Sequence, residues 1–172
     1  MRAIFYTLCL NQPPHSDNTV GMRTLYHSPL CPASRKIRVT LAEKDLRFEL
    51  KEEHYWERRR EFVKLNPACE TPVLVDTDGT VLAESIAINE FLEERYTDVN
   101  LIGKSSTEKA EVRRLVLWFD LKFNHEVTRN LLYEKFFKRL MGYGEPNSDA
   151  IRAGKSNILY HLDYIAFLTR KR

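Results

Sequence analysis

Apolar and polar positions along residues 23–96 predict strands and helices in turn. The predicted strands are residues 23–27, 46–50, 72–75 and 80–83, and the predicted helices are residues 33–44, 56–65 and 85–96. Ile37 and Leu41 are four residues apart, which places them on one helix face. Asp76–Gly79 is a tight turn between two strand-like runs, so the last two strands form a β-hairpin. The order β-α-β-α-β-β-α predicts an α/β sandwich in which the hairpin adds an antiparallel edge.

The pattern beyond residue 106 is helical throughout. One apolar stripe recurs at steps of three and four residues and comprises Val112, Val116, Phe119, Phe123, Val127 and Leu131. A second helix is predicted from Asp149, with a stripe of Ile151, Ile158, Leu162 and Ile165. Residues 97–106 contain Asp, Asn, Gly and Ser and are predicted to be a linker. The fold class is therefore an α/β domain in residues 22–96 followed by an all-α domain in residues 107–172.

The first 21 residues differ from the rest of the chain. Residues 3–10 are apolar and residues 11–18 are polar, but the apolar run is shorter than a signal peptide requires. We predict a disordered extension or a mis-assigned start, with Met22 as the functional first residue.

Composition excludes several classes of function. A net charge of +3 in 172 residues, with acidic and basic residues interspersed, does not indicate a nucleic-acid partner. No apolar run approaches the length of a membrane span. Three cysteines make an odd count, which favours a reducing compartment, and we predict a cytoplasmic protein without a metal cofactor.

Pro72 stands at the entrance of a predicted strand, where it cannot donate a hydrogen bond to the sheet. If the Thr71-Pro72 bond is cis, the N–H and C=O groups of Thr71 turn outward together and can pair with an extended peptide. A trans proline at a strand entry is the alternative, because only about 5% of X–Pro bonds are cis.

Two further places carry candidate chemistry. Cys31 precedes a predicted helix, whose N-terminus stabilises a thiolate, although a small residue packed at a helix start is the alternative. Glu84-Ser85 begins the next helix after the hairpin. Ser85 can cap that helix, and its N–H and hydroxyl groups also suit a carboxylate.

These places resemble the glutathione S-transferase family. The motifs that carry the resemblance are Leu25-Tyr26-His27-Ser28-Pro29, Cys31-Pro32, Asn66-Pro67-Ala68, Thr71-Pro72-Val73-Leu74, Asp78-Gly79 and Glu84-Ser85-Ile86-Ala87-Ile88. The resemblance implies a thioredoxin-like fold for residues 22–96, a helical C-terminal domain and a homodimer. It also implies that Cys31 is catalytic, that Thr71 before the cis Pro72 pairs with the cysteinyl backbone of glutathione, and that Glu84 and Ser85 hold its γ-glutamyl end.

The chain departs from the family pattern at Cys69 and Glu70, where Gly and a basic or amide residue are usual. A carboxylate at position 70 would repel an anionic tripeptide. Family members also continue past a segment like Thr169–Arg172, so we expect the helical domain to be truncated and its stripe of Ile158, Leu162 and Ile165 to be partly exposed.

Three functions follow from this resemblance. The first is transfer of glutathione to a small electrophile. The second is a monothiol glutathione-dependent oxidoreductase, since Cys31-Pro32-Ala33-Ser34 lacks a second cysteine. The third is a non-catalytic binder of the division protein FtsZ, as in the alphaproteobacterial FzlA branch of the superfamily. The segments that resemble this branch are Pro32–Arg35, Ala110–Leu115, Trp118–Asp120, Glu126–Thr128, Asn130–Leu132 and Tyr160–Ile165.

Overall fold

The computed structural model of the chain describes residues 21–170. These residues separate into two compact units, which divide between Leu101 and Ile102. The predicted disordered extension therefore lies, apart from Gly21, outside the described residues. No helix within the described residues is long and apolar enough to cross a membrane.

The first unit has the predicted order of elements. They are β1 (Arg23–His27), α1 (Pro32–Glu43), β2 (Phe48–Glu52), a 3-10 turn (Tyr55–Glu57), α2 (Arg60–Leu65), β3 (Val73–Val75), β4 (Val81–Ala83) and α3 (Ser85–Arg95). The sheet order is β2-β1-β3-β4. Strands β1 and β2 are parallel and the other two pairs are antiparallel, so the thioredoxin-like α/β fold is confirmed.

The predicted continuous helix over residues 56–65 is wrong. Arg58 has a left-handed backbone with φ of 49°, which ends the 3-10 turn, and α2 begins two residues later. Arg58, Arg59 and Arg60 are all exposed, so no burial of apolar side chains holds this stretch in one helix.

The core of the first unit lies between the sheet and helices α1 and α3. Its fully buried members are Leu25, Ile37, Leu41, Leu74, Ile88 and Leu92. A second cluster on the other side comprises Phe62, Cys69 and Val73. The predicted helix face of Ile37 and Leu41 is therefore the buried face of α1.

A buried ion pair closes the C-terminal end of α3. The Lys44 ammonium lies 2.9 Å from a Glu93 carboxylate oxygen, and both side chains are at most 5% exposed. The same ammonium donates hydrogen bonds to the carbonyl oxygens of Tyr96 (2.9 Å) and Val99 (2.6 Å). Lys44 thereby satisfies the carbonyl group of Tyr96, the C-cap residue of α3, and that of Val99 in the loop that follows.

The second unit is two antiparallel helical segments. The first begins with α4 (Ser106–Leu117), continues through a π-helical segment (Trp118–Phe137) and ends with α5 (Lys138–Leu140). The second is α6 (Ser148–Arg170). A capping box between Ser105 and Glu108 starts α4. Leu162 is 51% exposed, whereas Ile158 and Ile165 are half-buried.

A fully buried histidine joins the two helical segments. The Trp118 indole N–H donates to Nδ1 of His161 at 3.1 Å, so the imidazole proton is on Nε2, which lies 2.9 Å from a Glu126 carboxylate oxygen. The Trp118 side chain is thus engaged in holding the helices together.

Gly154 marks the closest approach of α6 to the π-helical segment. A Cβ atom at this position would lie 2.8 Å from Cβ of Asn130 and 2.9 Å from Cγ of Leu131.

We expect Gly154→Val to lower the free energy of unfolding by about 1–3 kcal/mol, because the helices must separate. Urea unfolding followed by circular dichroism measures this. Ser156→Val, at an exposed position of the same helix, should change stability by less; equal losses would contradict the packing argument.

Candidate functional site

Cys31 is the N-cap residue of α1, and its thiol connects that helix to the segment before β3. The Cys31 sulfur accepts a hydrogen bond from the Ser34 N–H at 3.4 Å and donates to the Thr71 carbonyl oxygen at 3.4 Å. The side chain is partly exposed. The free N–H groups and the positive end of the helix dipole at this position favour an anion close to the thiol.

The loop that leads into α1 is fixed by local hydrogen bonds. The Cys31 N–H donates to the Ser28 carbonyl at 3.0 Å, and the Ser28 N–H donates to the hydroxyl of the buried Ser34 at 3.4 Å. Pro32 occupies the first helical position, where its missing N–H is not needed. The position of the thiol is therefore set by the backbone on both sides of it.

The Thr71-Pro72 peptide bond is cis, which confirms the geometry that the family resemblance implies. The preceding loop is held by Asn66, whose amide nitrogen donates to the Glu70 carbonyl at 3.0 Å and whose amide oxygen accepts from the Ala68 N–H at 3.1 Å. This side chain is almost fully buried. The backbone at Thr71 is therefore presented by a well-bonded loop.

Glu84 and Ser85 directly follow the end of β4, which lies beside the start of β3. Pairing of Val73 with Ala83 aligns β4 with β3, and the chain leaves β4 directly into Glu84. Glu84 has φ of 70° and an exposed side chain, and no side chain caps the helix. Ser85 is the first residue of α3 and is buried. The possibility that Ser85 caps α3 is therefore wrong, and its N–H is one of the free groups at the helix start.

Cys69 is a buried thiol of a different kind. Its sulfur donates to the Tyr55 carbonyl oxygen at 3.2 Å, and only 3% of the residue is exposed. Its backbone is left-handed with φ of 57°, a region that Gly adopts more readily. Both Cys31 and Cys69 are free thiols. Cys69 has a packing position and a satisfied donor, whereas Cys31 is accessible.

Tyr55 belongs to this region and was missed in the sequence. Its pKa is raised chiefly by partial burial and further by electrostatic interaction with Cys31 and Glu70. The phenol therefore interacts electrostatically with both groups and stays protonated, as a hydrogen-bond donor. Nothing in the local pattern marks Tyr55, because it follows β2 in a stretch that reads as a charged helix.

His27 ends β1 immediately before the loop that carries Cys31, and it is 7% exposed. Its pKa is lowered mainly by burial and also by the charge of Arg38. The unfolded chain takes up this proton near pH 6.5, whereas the folded chain does so only at lower pH, so stability is full above about pH 6.5 and falls as the pH is lowered from there.

We expect the free energy of unfolding to drop between pH 7.5 and 5.5, and His27→Gln to make this drop smaller. Urea unfolding at several pH values measures the slope. His54 is exposed, and its pKa is raised by Glu57 and Glu52. His54→Gln should therefore make the drop steeper, and a wild-type slope in the His27 variant would refute the assignment.

No metal centre is indicated. Within residues 21–170, no group of three or more His, Cys, Asp or Glu side chains is arranged to hold a metal ion.

Comparison with known proteins adds to this geometry. Residues 30–95 match the family model of the glutathione S-transferase N-terminal domain. The chain is 46% identical over 153 residues to FtsZ-localized protein A of Caulobacter vibrioides, covering 87% of this chain and 67% of that protein.

The chain is also similar to solved structures of glutathione S-transferases. The structure of a glutathione S-transferase from Rhodospirillum rubrum superposes with a TM-score of 0.84 at 50% identity, covering 88% of this chain and 68% of that one. A glutathione S-transferase from Methylobacterium radiotolerans in complex with glutathione sulfonate has a TM-score of 0.67 at 27% identity, covering 86% and 66%. The chain thus spans about two thirds of the length of each of these proteins. It belongs to the glutathione S-transferase family.

Proposed function

We propose that this chain binds glutathione at Cys31, Thr71, Pro72, Glu84 and Ser85 and transfers it to a small electrophile. The observation that carries the proposal is the 3.4 Å contact between the Cys31 thiol and the Thr71 carbonyl. A thiol at a helix start thereby adjoins the backbone that would pair with a cysteinyl residue.

The residues present fit the tripeptide. The N–H of Ser85 lies at the start of an 11-residue helix, which suits the γ-glutamyl carboxylate. The exposed Glu84 carboxylate suits the ammonium group of the same end. The backbone of Thr71 suits the cysteinyl residue, whose sulfur then lies toward Cys31.

In the proposed reaction the glutathione thiolate attacks an electrophilic carbon of the substrate. A carbon–sulfur bond forms, and the leaving group departs with the electron pair of the broken bond. The Cys31 thiol donates a hydrogen bond that stabilises the attacking thiolate, and the positive end of α1 acts in the same direction.

Calorimetry with the folded full chain tests the binding step. Glutathione at millimolar concentration should give a saturable heat. Ser85→Pro removes the N–H that would meet the γ-glutamyl carboxylate at a position where proline is tolerated in a helix, and it should weaken binding at least about tenfold. Absence of heat with well-folded protein would remove the proposal.

Cys31→Ser separates the transferase from the monothiol oxidoreductase. A serine keeps a hydroxyl donor and the helix cap, so conjugation should persist at a reduced rate. An oxidoreductase would form a mixed disulfide at Cys31 and would lose all activity in this variant.

A second candidate function is association with FtsZ. It is favoured by the 46% identity to a protein named FtsZ-localized protein A, which extends over 87% of this chain. Co-sedimentation with FtsZ polymers formed in GTP tests it, with unpolymerised FtsZ in GDP as the control. Recovery of the chain in the supernatant in both conditions would reject this function and would leave the glutathione site untouched.

The proposal also covers the domain organisation and the oligomeric state. We propose that residues 22–96 are the glutathione-binding domain, residues 97–106 a linker and residues 107–172 part of a helical domain, and that the protein is a homodimer. Sedimentation velocity measures the last of these.

A further inference from the structure

Two exposed carboxylates, those of Glu70 and Glu84, belong to the segments that form the candidate thiol site. Among its proposed ligands, Glu84 is charged and exposed, and Glu70, next to Thr71, is also exposed. The nearest lysine or arginine along the chain from Cys31 is Arg35, an exposed residue one turn into α1. Glutathione brings two carboxylates and one ammonium group, so its net charge has the same sign as these two side chains.

The backbone of Glu70 is held next to Thr71 by hydrogen bonds within the loop. The Glu70 carbonyl accepts from the Asn66 amide at 3.0 Å, and the Cys69 N–H donates to the Asn66 carbonyl at 2.8 Å. The buried Cys69 side chain is tied to the Tyr55 carbonyl. The Cα atom of Glu70 therefore cannot move away from Thr71 unless these bonds break.

The sheet topology shows which end of a bound peptide would meet Glu70. Strand β3 lies between β4, which leads to Glu84 and Ser85, and β1, which leads to Cys31. A γ-glutamyl end on the β4 side leaves the C-terminal end of the peptide on the other side of Thr71. The Cys69 thiol, one residue before Glu70, donates to the carbonyl of Tyr55 at 3.2 Å, and Tyr55 follows β2 on the far side of β1 from β3. The loop that carries Glu70 is therefore attached on that same side.

We propose that Glu70 discriminates against a free C-terminal carboxylate, so that the site prefers a peptide thiol whose C-terminal end is neutral or cationic. This inference rests on the proposed glutathione site. It assigns the departure at position 70 to substrate selection, through repulsion between two carboxylates.

Calorimetry with two matched ligands tests the inference on the full chain. The ligands are glutathione and its C-terminal amide, which differ only in the charge of the glycine end. Wild type should bind the amide about threefold more tightly, the factor for two charges about 7 Å apart in water-exposed surroundings, and 0.5 M salt should reduce this ratio. Glu70→Gln should abolish the preference, whereas Glu94→Gln, an exposed change on α3, should keep it.

The outcomes separate this inference from the function on which it rests. If both ligands bind wild type equally, or if Glu70→Gln retains the preference, the site stands and the assignment of Glu70 is wrong. If neither ligand produces heat, the glutathione site itself is wrong and the preference falls with it.

Discussion

Replacing Cys31 with alanine is expected to lower kcat/KM for conjugation of glutathione by about a hundredfold or more, the usual loss when one donor to a developing or reacting anion is removed. The sulfur lies at the start of α1 and contacts the Thr71 carbonyl at 3.4 Å. No other thiol of the described residues has this position. Initial rates with an aromatic halide as electrophile measure the effect.

Two controls make the result specific. Cys31→Ser keeps the cap of α1, so it shows how much of the loss comes from the helix start and how much from the thiol. Cys69→Ala removes a buried thiol that is bonded to the Tyr55 carbonyl. It should lower stability without a comparable loss of rate. An unchanged rate for Cys31→Ala would show that conjugation does not depend on this thiol.

Replacing Lys44 with methionine is expected to lower the free energy of unfolding by about 3–5 kcal/mol. The change leaves the buried Glu93 carboxylate without its cation and deprives the carbonyl groups of Tyr96 and Val99 of a donor. Thermal and urea unfolding both measure the loss. A fall of this size should also move the melting temperature by more than about 6 °C.

The double variant Lys44→Met with Glu93→Leu tests whether the uncompensated Glu93 carboxylate causes the loss of stability. Removing both charges replaces an ion pair by apolar groups of similar volume, which is often neutral or stabilising. We therefore expect the double variant to regain part of the lost stability, while the carbonyl groups of Tyr96 and Val99 and the N–H of Leu101 still lack their partners. If its stability is lower than that of Lys44→Met alone, the loss comes from packing or from the carbonyl contacts and not from the uncompensated carboxylate.

Much of the fold is predictable because its determinants are local. Ile37 and Leu41 mark the buried face of α1 by their spacing, and Asp76–Gly79 marks the hairpin by its turn residues. The break at Arg58 is not predictable in this way. An arginine with a left-handed backbone carries no compositional signal, and the surrounding charged residues have high helix propensity.

The residues of the candidate site also differ in whether a local sequence signal marks them. Cys31 and Thr71-Pro72 are recognisable from neighbouring residues, since a helix start and a proline at a strand entry are local features. The contact between Cys31 and Thr71 joins residues 40 positions apart, and the Lys44–Glu93 pair joins residues 49 apart. Such pairs depend on the assembled sheet and helices, which a pattern of single residues does not describe. Tyr55 enters the site for the same reason.

A crystal structure of the full chain grown with glutathione tests the central claim most directly. It should show the cysteinyl backbone of glutathione hydrogen-bonded to Thr71, its γ-glutamyl carboxylate at the N–H of Ser85, and its sulfur within hydrogen-bond distance of Cys31. Glutathione bound elsewhere, or a Thr71 carbonyl still engaged only by Cys31 at saturating glutathione, would contradict the account.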